Sequence, residues 1–395
     1  MLSSDTCFCG VYGVAIIPVA ARSQPEGQYF GVIPPSSAGS LGDQAMVDAA
    51  ACYLSQDMGR RVVIGPNPVQ TRATAILAPD HRPVTILRIM SRMLLTCPGI
   101  GCIGADILDG VYGKSQVFKR LRMLRIAHAV GRKTRVFGAS WSETPHPEVA
   151  AALRRASWLE ICARDPISQA RMEKAFGRPV PLVADLAFLL KPELRAGAAR
   201  TGHNWITAQQ QIGRVVMGVN LSGHTVGTLP GDGVRSVAQP IIRWLLADPQ
   251  RAVILMPHDR RGGKVGDGTA LTALHDILSA DFADRMHSLP VTLDTWEMKA
   301  IAGATDLILT GRMHLAIAAL GMGTPAFCTV YQGKFEGLMQ MFGLEDMTIA
   351  PSLMDSAECD AKLARVTRQR QQLSARIQAR LPQIVEMSRS NFAGM

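Results

Sequence analysis

The 395-residue chain is poor in aromatics, at 5%, and contains no apolar run near the ~18 residues that a membrane-spanning helix needs. So few rings, with no recognisable nucleic-acid module, make base stacking a poor account of its formal charge of +10, and no nucleic-acid partner is expected. The eight cysteines include no CxxC pair. Cys7 and Cys9 are too close for a standard bridge, and Cys97 and Cys102 lack His or Cys partners at metal spacing. A disulfide framework and a zinc site are therefore not expected, and the thiols read as small core residues. Asp5, but no Lys or Arg, precedes the mildly apolar run near the N-terminus, which argues against a secretory signal. The expectation is a cytoplasmic protein whose residues 1–28 form an N-terminal extension.

What the chain does have is length, apolar residues and local positive charge. An apolar share of 47% and 395 residues exceed what one core usually serves, so two domains are expected. The charge is concentrated from Lys114 to Arg135 and from Lys362 to Arg389. An anionic substrate accounts for it, as does peripheral contact with the acidic surface of the inner membrane.

Strands and helices alternate along the chain. Tyr29–Ile33 reads as a strand, then a loop through Gly39 and Gly42 leads to a helix over Asp43–Ser55. Asp43 can cap that helix, and the glycines let backbone N–H groups approach a ligand at its positive end. Arg61–Ile64 and Val84–Met90 read as strand or mixed apolar segments. TCPGIGCIGADILD, from Thr96 to Asp109, satisfies GxGxxG literally, but it is not in the first strand-helix unit and no acid follows at the distance a ribose needs. It reads either as a glycine loop presenting Asp106 and Asp109 to a cleft or as a plain turn. Arg135–Phe137 and Trp158–Ala163 read as strands, the second ending in Arg164-Asp165, and Val180–Ala184 as another.

Polar, glycine-containing sequence over 197–213 predicts a linker between a first domain at 29–196 and a second at 214–355. The pattern then restarts. Arg214–Asn220 reads as a strand, Gln239–Leu246 as a helix with Pro240 in its first turn, and Ala252–Met256 as a strand ending in Pro257-His258-Asp259. Asp294 and Glu297 have capping-box spacing. Residues 356–395 read as a basic amphipathic helix broken near Pro382. The alternation implies an α/β protein with two doubly wound, Rossmann-like domains facing across a cleft lined by strand ends.

The richest stretch is DLILTGRMHLAIAALGMGTPAFCTVYQGKFEG, from Asp306 to Gly337. Gly311, Arg312 and His314 fall where a strand hands over to a helix, and Lys334 falls just after the next strand. Arg grips a carboxylate or phosphate through a planar fork, Lys acts as a point charge, and His works as acid or base near pH 7. Such a cleft suits a small ligand carrying both phosphate and carboxylate. Arg312 and His314 tying the turn to neighbouring carboxylates is the plainer alternative.

In order, GSLGDQA, GIGCIGAD, ARDPIS, VADLAFLL, GVNLSG, MPHD, GRMH and YQGK resemble the polysaccharide pyruvyl transferase family across nearly the whole chain after Tyr29. The resemblance implies a glycosyltransferase-B-like fold, phosphoenolpyruvate as co-substrate with no cofactor, and pyruvate placed as a ketal on a saccharide acceptor, which can be lipid-linked. It assigns donor binding to Arg164, His314 and Lys334, with Arg312 in the same arginine-x-histidine motif. Apart from the resemblance, His258 at its strand end can contact the donor anion or act as an acid, a hydrogen-bonded turn residue being the plainer account. The family pattern has Asn and Glu where Ser40 and Gln44 stand, and Asp-Pro where Gln332-Gly333 stand. On this reading His314 protonates the donor's methylene carbon, and Asp106 or Asp109 takes the acceptor's proton. Two alternatives remain open: a nucleotide-sugar glycosyltransferase using Glu297 and the helix start at Gly311, and a non-catalytic polyanion-binding protein using its basic helices.

Overall fold

The computed structural model describes residues 28–35, 39–227, 232–263, 265–330 and 335–395, which form two parallel six-stranded sheets flanked by helices. The first sheet comprises β1 (Tyr29–Ile33), β2 (Arg61–Ile64), β3 (Ala75–Leu77), β4 (Gly99–Ala105), β5 (Lys133–Ala139) and β6 (Glu160–Ala163), ordered β3-β2-β1-β4-β5-β6. Its helices are α1 (Leu41–Cys52), α2 (Pro83–Thr96), α3 (Lys114–Ala129), α4 (Pro147–Arg155) and α5 (Pro166–Phe176). The chain then forms α6 (Ala198–Gln211), β7 (Val215–Val219), α7 (Gly223–Val226), α8 (Gly233–Leu246), β8 (Arg251–Leu255), α9 (Gly268–Phe282) and β9 (Met286–Ser288). It continues through α10 (Thr295–Ala304), β10 (Leu307–Thr310), α11 (Met313–Leu320), β11 (Ala326–Thr329), α12 (Phe335–Phe342), β12 (Thr348–Ile349) and α13 (Ala357–Arg389). The second sheet runs β12-β11-β10-β7-β8-β9. In both sheets the winding reverses beside the first strand, between β1 and β4 and between β7 and β10. Those crevices are where open α/β sheets bind ligands.

Several local readings change. GIGCIGA is a central strand, β4, buried along its whole length. Its glycines answer a packing demand: a Cβ on Gly101 would sit 2.0 Å from the Phe137 ring. Residues 84–90 belong to α2, which Pro83 opens and which buries Ile89 and Met93 one turn apart. The expected linker, 197–213, is largely helix α6, which buries Ala199, Gly202 and Ile206 and packs on β7, β8 and β9. That stripe is so narrow that polar neighbours hide it in the sequence. Ser40, not Asp43, caps α1, its hydroxyl accepting the Asp43 N–H at 3.3 Å. Pro240 lies well inside α8, and Val180–Ala184 contributes only an isolated bridge between Leu182 and Ala163.

The basic segment at 356–395 is not a separate appendage. Helix α13 runs through Pro382 to Arg389, and the residues beyond it return to the first domain. Asn391 accepts from the Gly138 N–H at 2.8 Å and donates to the Ala184 carbonyl at 3.0 Å, while Ser388 donates to the Asp185 carbonyl at 2.8 Å. Phe392 packs on Phe137. A second strap joins the domains through buried Asp48 on α1, whose carboxylate accepts Thr295 Oγ1 and Trp296 Nε1 of α10, each at 3.0 Å. Domain one therefore meets domain two through ordered polar contacts as well as apolar packing, which holds the facing strand ends in register.

Candidate active site

Both walls of the site are loops at carboxyl ends of strands. The loop after β1 meets the loop after β8: Leu41 donates to the His258 carbonyl at 3.3 Å, and the Gly39 carbonyl accepts from Arg260 at 2.9 Å. Gly39 has φ +93°, a conformation that costs glycine little. Gly42 lies directly under His314, where an added Cβ would fall 2.3 Å from Nδ1. The two positions expected to approach a ligand thus shape the seam between the domains, and Gly42 seats the imidazole. Asp43 lies beside them, close enough to Arg261 to help raise its pKa behind the stronger bond from Asp259. Gln44 donates to the Gln70 carbonyl.

At the centre of the cleft, Asp185 is shared by both domains. Arg164, at the end of β6, donates through Nη1 to Asp185 Oδ2 at 2.9 Å and through Nε to Ser140 Oγ at 2.7 Å. His314, in the first turn of α11, reaches the same oxygen from the other domain, with Nε2 at 3.6 Å, too long for a hydrogen bond. Burial opposes ionisation of Asp185, yet the His314 and Arg164 charges override it and hold the carboxyl well below the usual carboxylate range. Two nitrogens of this cluster, Arg164 Nη2 and His314 Nε2, are buried and have no hydrogen-bond partner among the described residues. Arg164 is only 3% exposed. A buried guanidinium arm left unpaired is costly, so this arm and the imidazole nitrogen beside it could together hold an anion.

Arg312 behaves differently. Its Nε and Nη2 bind Asp267 Oδ1 at 2.9 and 2.6 Å, Nη2 also donates to the Val265 carbonyl, and Nη1 lies 3.1 Å from Asp259. Asp267 is completed by Asn220 Nδ2 and the His258 N–H on its other oxygen, each at 2.8 Å. The Arg312 fork therefore ties the turn to neighbouring carboxylates, as the plainer of the two readings of the sequence has it. Gly311 is buried at the same junction. Burial, reinforced by the His314 and Arg312 charges, pushes the His258 imidazole down to about 3, so it is neutral at pH 7 and offers no cationic contact.

Of the two candidate bases, Asp109 is 3% exposed and accepts the Val111 and Ser142 N–H groups, each at 3.1 Å, bracing its loop. Asp106 is partly exposed and follows Ala105, whose φ of +50° is unusual for a residue with a side chain. Strain of this kind costs about 1–3 kcal/mol and gathers at functional sites. Lys334 lies outside the described residues, as do Gln332 and Gly333. Arg164 does not pair with Asp165 or Glu160: Asp165 caps α5, and Glu160 holds Arg135 at 2.5 Å. Sequence reasoning passed over Asp185 and Asp267. Asp185 stood inside VADLAFLL, and a carboxylate closing a short apolar run was its one visible signal; Asp267 lay in a glycine-rich loop with none.

The family model of polysaccharide pyruvyl transferases matches residues 41–333. Among solved structures, the chain resembles a putative UDP-N-acetylglucosamine 2-epimerase from Listeria monocytogenes, with 9% identity, TM-score 0.55, and coverage of 93% of this chain and 97% of that one. It also resembles an α,α-trehalose 6-phosphate synthase from Burkholderia multivorans, with 11% identity, TM-score 0.56, and coverage of 93% and 95%. A UDP-GlcNAc 2-epimerase from Neisseria meningitidis bound to UDP-GlcNAc gives 10% identity, TM-score 0.53, and coverage of 91% and 99%. At such identities these likenesses establish a shared fold, the glycosyltransferase-B arrangement of two Rossmann-like domains, and nothing about ligands.

Proposed function

The chain belongs to the polysaccharide pyruvyl transferase family, and from that premise we propose that it transfers pyruvate from phosphoenolpyruvate to a hydroxyl or hydroxyl pair of a saccharide, forming a ketal. The observation that carries the reading is the pair of unpartnered buried donors, Arg164 Nη2 from one domain and His314 Nε2 from the other, flanking Asp185. A donor with phosphate and carboxylate on one carbon supplies acceptors to both, each charge-assisted bond contributing about 1.5–3 kcal/mol.

In the proposed reaction His314 gives its proton to the methylene carbon, which becomes a methyl group. The adjacent carbon turns cationic and is attacked by a saccharide hydroxyl, with Asp106 taking the hydroxyl proton. A second hydroxyl of the saccharide then displaces inorganic phosphate, which carries away that hydroxyl's proton, and the ketal closes. Asp185 lies 3.6 Å from Nε2, a carboxylate beside the ring that gives the proton. Arg312 acts behind this pair: by fixing Asp267 and Asp259 it sets the backbone turn from which His314 projects. Lys334 is proposed as a further contact to the donor anion.

The nucleotide-sugar reading relied on Glu297, and that side chain closes the capping box of α10, its Oε2 accepting the Asp294 N–H at 3.1 Å. Incubation with phosphoenolpyruvate and a panel of lipid-linked and synthetic saccharides tests the proposal. Inorganic phosphate and a saccharide heavier by a pyruvate ketal are expected. Release of a nucleoside diphosphate from a sugar nucleotide, with phosphoenolpyruvate unconsumed, would overturn it.

A further inference from the structure

We propose that the outer face of the first domain, made by α2 and α3, docks on an anionic phospholipid surface. The inference goes beyond the transfer reaction and does not depend on it. Between His81 and Arg135 the chain carries eleven Lys or Arg against two acids, Asp106 and Asp109; Arg120 and Arg135 are buried, and Lys114 and Arg82 pair with Glu148 and Asp80. Both acids lie at the cleft, on the loop after β4. Arg88, Arg92, Lys119, Arg122 and Arg125 are exposed. The other basic segment contrasts with it: on α13, Arg376 donates to the Gly343 carbonyl, Arg380 to the Met341 carbonyl, and Arg365 pairs with Asp346. Those charges serve the second domain's own structure.

Charge is joined by apolar exposure on the same helices. Val84, Leu87 and Leu95 of α2 are 77%, 67% and 76% exposed. Leu87 and Leu95 lie about two turns apart on one stripe, while Ile89 and Met93 face the sheet. Val111 and Tyr112, just before α3, and Ile126 within it are also exposed. Helices that follow parallel strands start at the strands' carboxyl ends, so Val84, Leu87, Val111 and Tyr112 sit at the rim of the cleft. Aliphatic side chains set among arginines, with no acid on the helix, complement a bilayer: the aliphatics enter the acyl boundary and the cations meet phosphate headgroups. A nucleic acid would match the cations alone, because exposed leucines offer its backbone nothing. No described helix is long and apolar enough to cross a membrane, so the contact would be peripheral. In this orientation the mouth of the cleft faces lipid headgroups, where a lipid-borne saccharide would be presented.

Cosedimentation of the full chain with phosphatidylcholine vesicles, with and without phosphatidylglycerol, tests this at low and high salt. Binding to the anionic vesicles that salt weakens is expected, with little binding to phosphatidylcholine alone. Leu87→Ser with Leu95→Ser, and separately Arg88→Glu with Arg122→Glu, should each lower that binding about tenfold. Melting temperature and turnover on a soluble acceptor should be unchanged, since all four side chains point to solvent. Arg368→Glu on α13 should leave binding intact. The proposal fails if anionic vesicles are not bound, or if the α2 and α3 variants bind as the parent does. It also fails if the leucine variants instead convert a dimer to a monomer with no effect on vesicles, or if the α13 variant alone abolishes binding.

Discussion

Two arginine-carboxylate clusters lie on facing walls of the cleft, and they differ in what they leave undone. Around Arg312 every polar group has a partner: Asp267 binds the guanidinium on one oxygen and Asn220 and the His258 N–H on the other, while Asp259 takes Nη1. Around Arg164 the carboxylate is equally buried, but Nη2 of Arg164 and Nε2 of His314 have no hydrogen-bond partner among the described residues. A satisfied cluster fixes a backbone, whereas an unsatisfied one has donors to offer, which is the basis of the proposed donor site. The arginine-x-histidine motif contributes one residue to each, Arg312 to the first and His314 to the second. Two neighbours in sequence therefore do different work.

Substitution of His314 should break this contrast most sharply. His314→Gln is expected to lower turnover by about 10²–10⁴-fold while the melting temperature stays nearly constant, checked by phosphate release and thermal unfolding. Arg312→Met should do the reverse. Denaturant unfolding should show a loss of about 3–5 kcal/mol, because buried Asp267 and Asp259 lose their cation, whereas the protein that remains folded keeps its donor affinity. Gly42→Ala should cost about 1–3 kcal/mol through the clash with His314, with kcat lowered more than donor affinity, because the imidazole must move.

A pH-dependent effect concerns the backbone behind Asp185. Buried Lys299 donates to the Ala187 and Phe188 carbonyls at 3.1 and 3.3 Å, and burial, only partly offset by Asp185, pushes its pKa down to about 7. Above pH 7 the folded protein gives up a proton that the unfolded chain keeps until its ordinary value, about 10.5. Stability should therefore rise with pH from about 7 towards 10. Lys299→Met should flatten that slope in pH-dependent denaturant titrations.

Much of this was readable from the chain alone. Alternating apolar strands and capped helices gave two doubly wound domains, and Arg164 and His314 stood at strand ends where ligands bind. The failures share a cause, namely that partners distant in sequence decide a residue's role. GIGCIGA reads as a loop until Phe137 is placed beside Gly101, and 197–213 reads as a linker because only Ala199, Gly202 and Ile206 are buried. Arg312 looks like a free cation until Asp267, forty-five residues earlier, closes on it. Asp185 gave only a faint signal because its two partners, Arg164 and His314, come from opposite domains. By contrast, the capping box at Asp294 and Glu297 is local, and it was legible.

The central claim is that the unpartnered arm of Arg164 holds the donor's anion. Calorimetric titration of phosphoenolpyruvate into the parent and into Arg164→Lys tests it most directly. Lysine keeps a charge for Asp185 but lacks the planar fork that reaches Asp185, Ser140 and a ligand together. Loss of one charge-assisted bond predicts donor affinity weakened about 10–150-fold, with the melting temperature close to the parent's. Undiminished affinity in a folded Arg164→Lys protein would contradict the account.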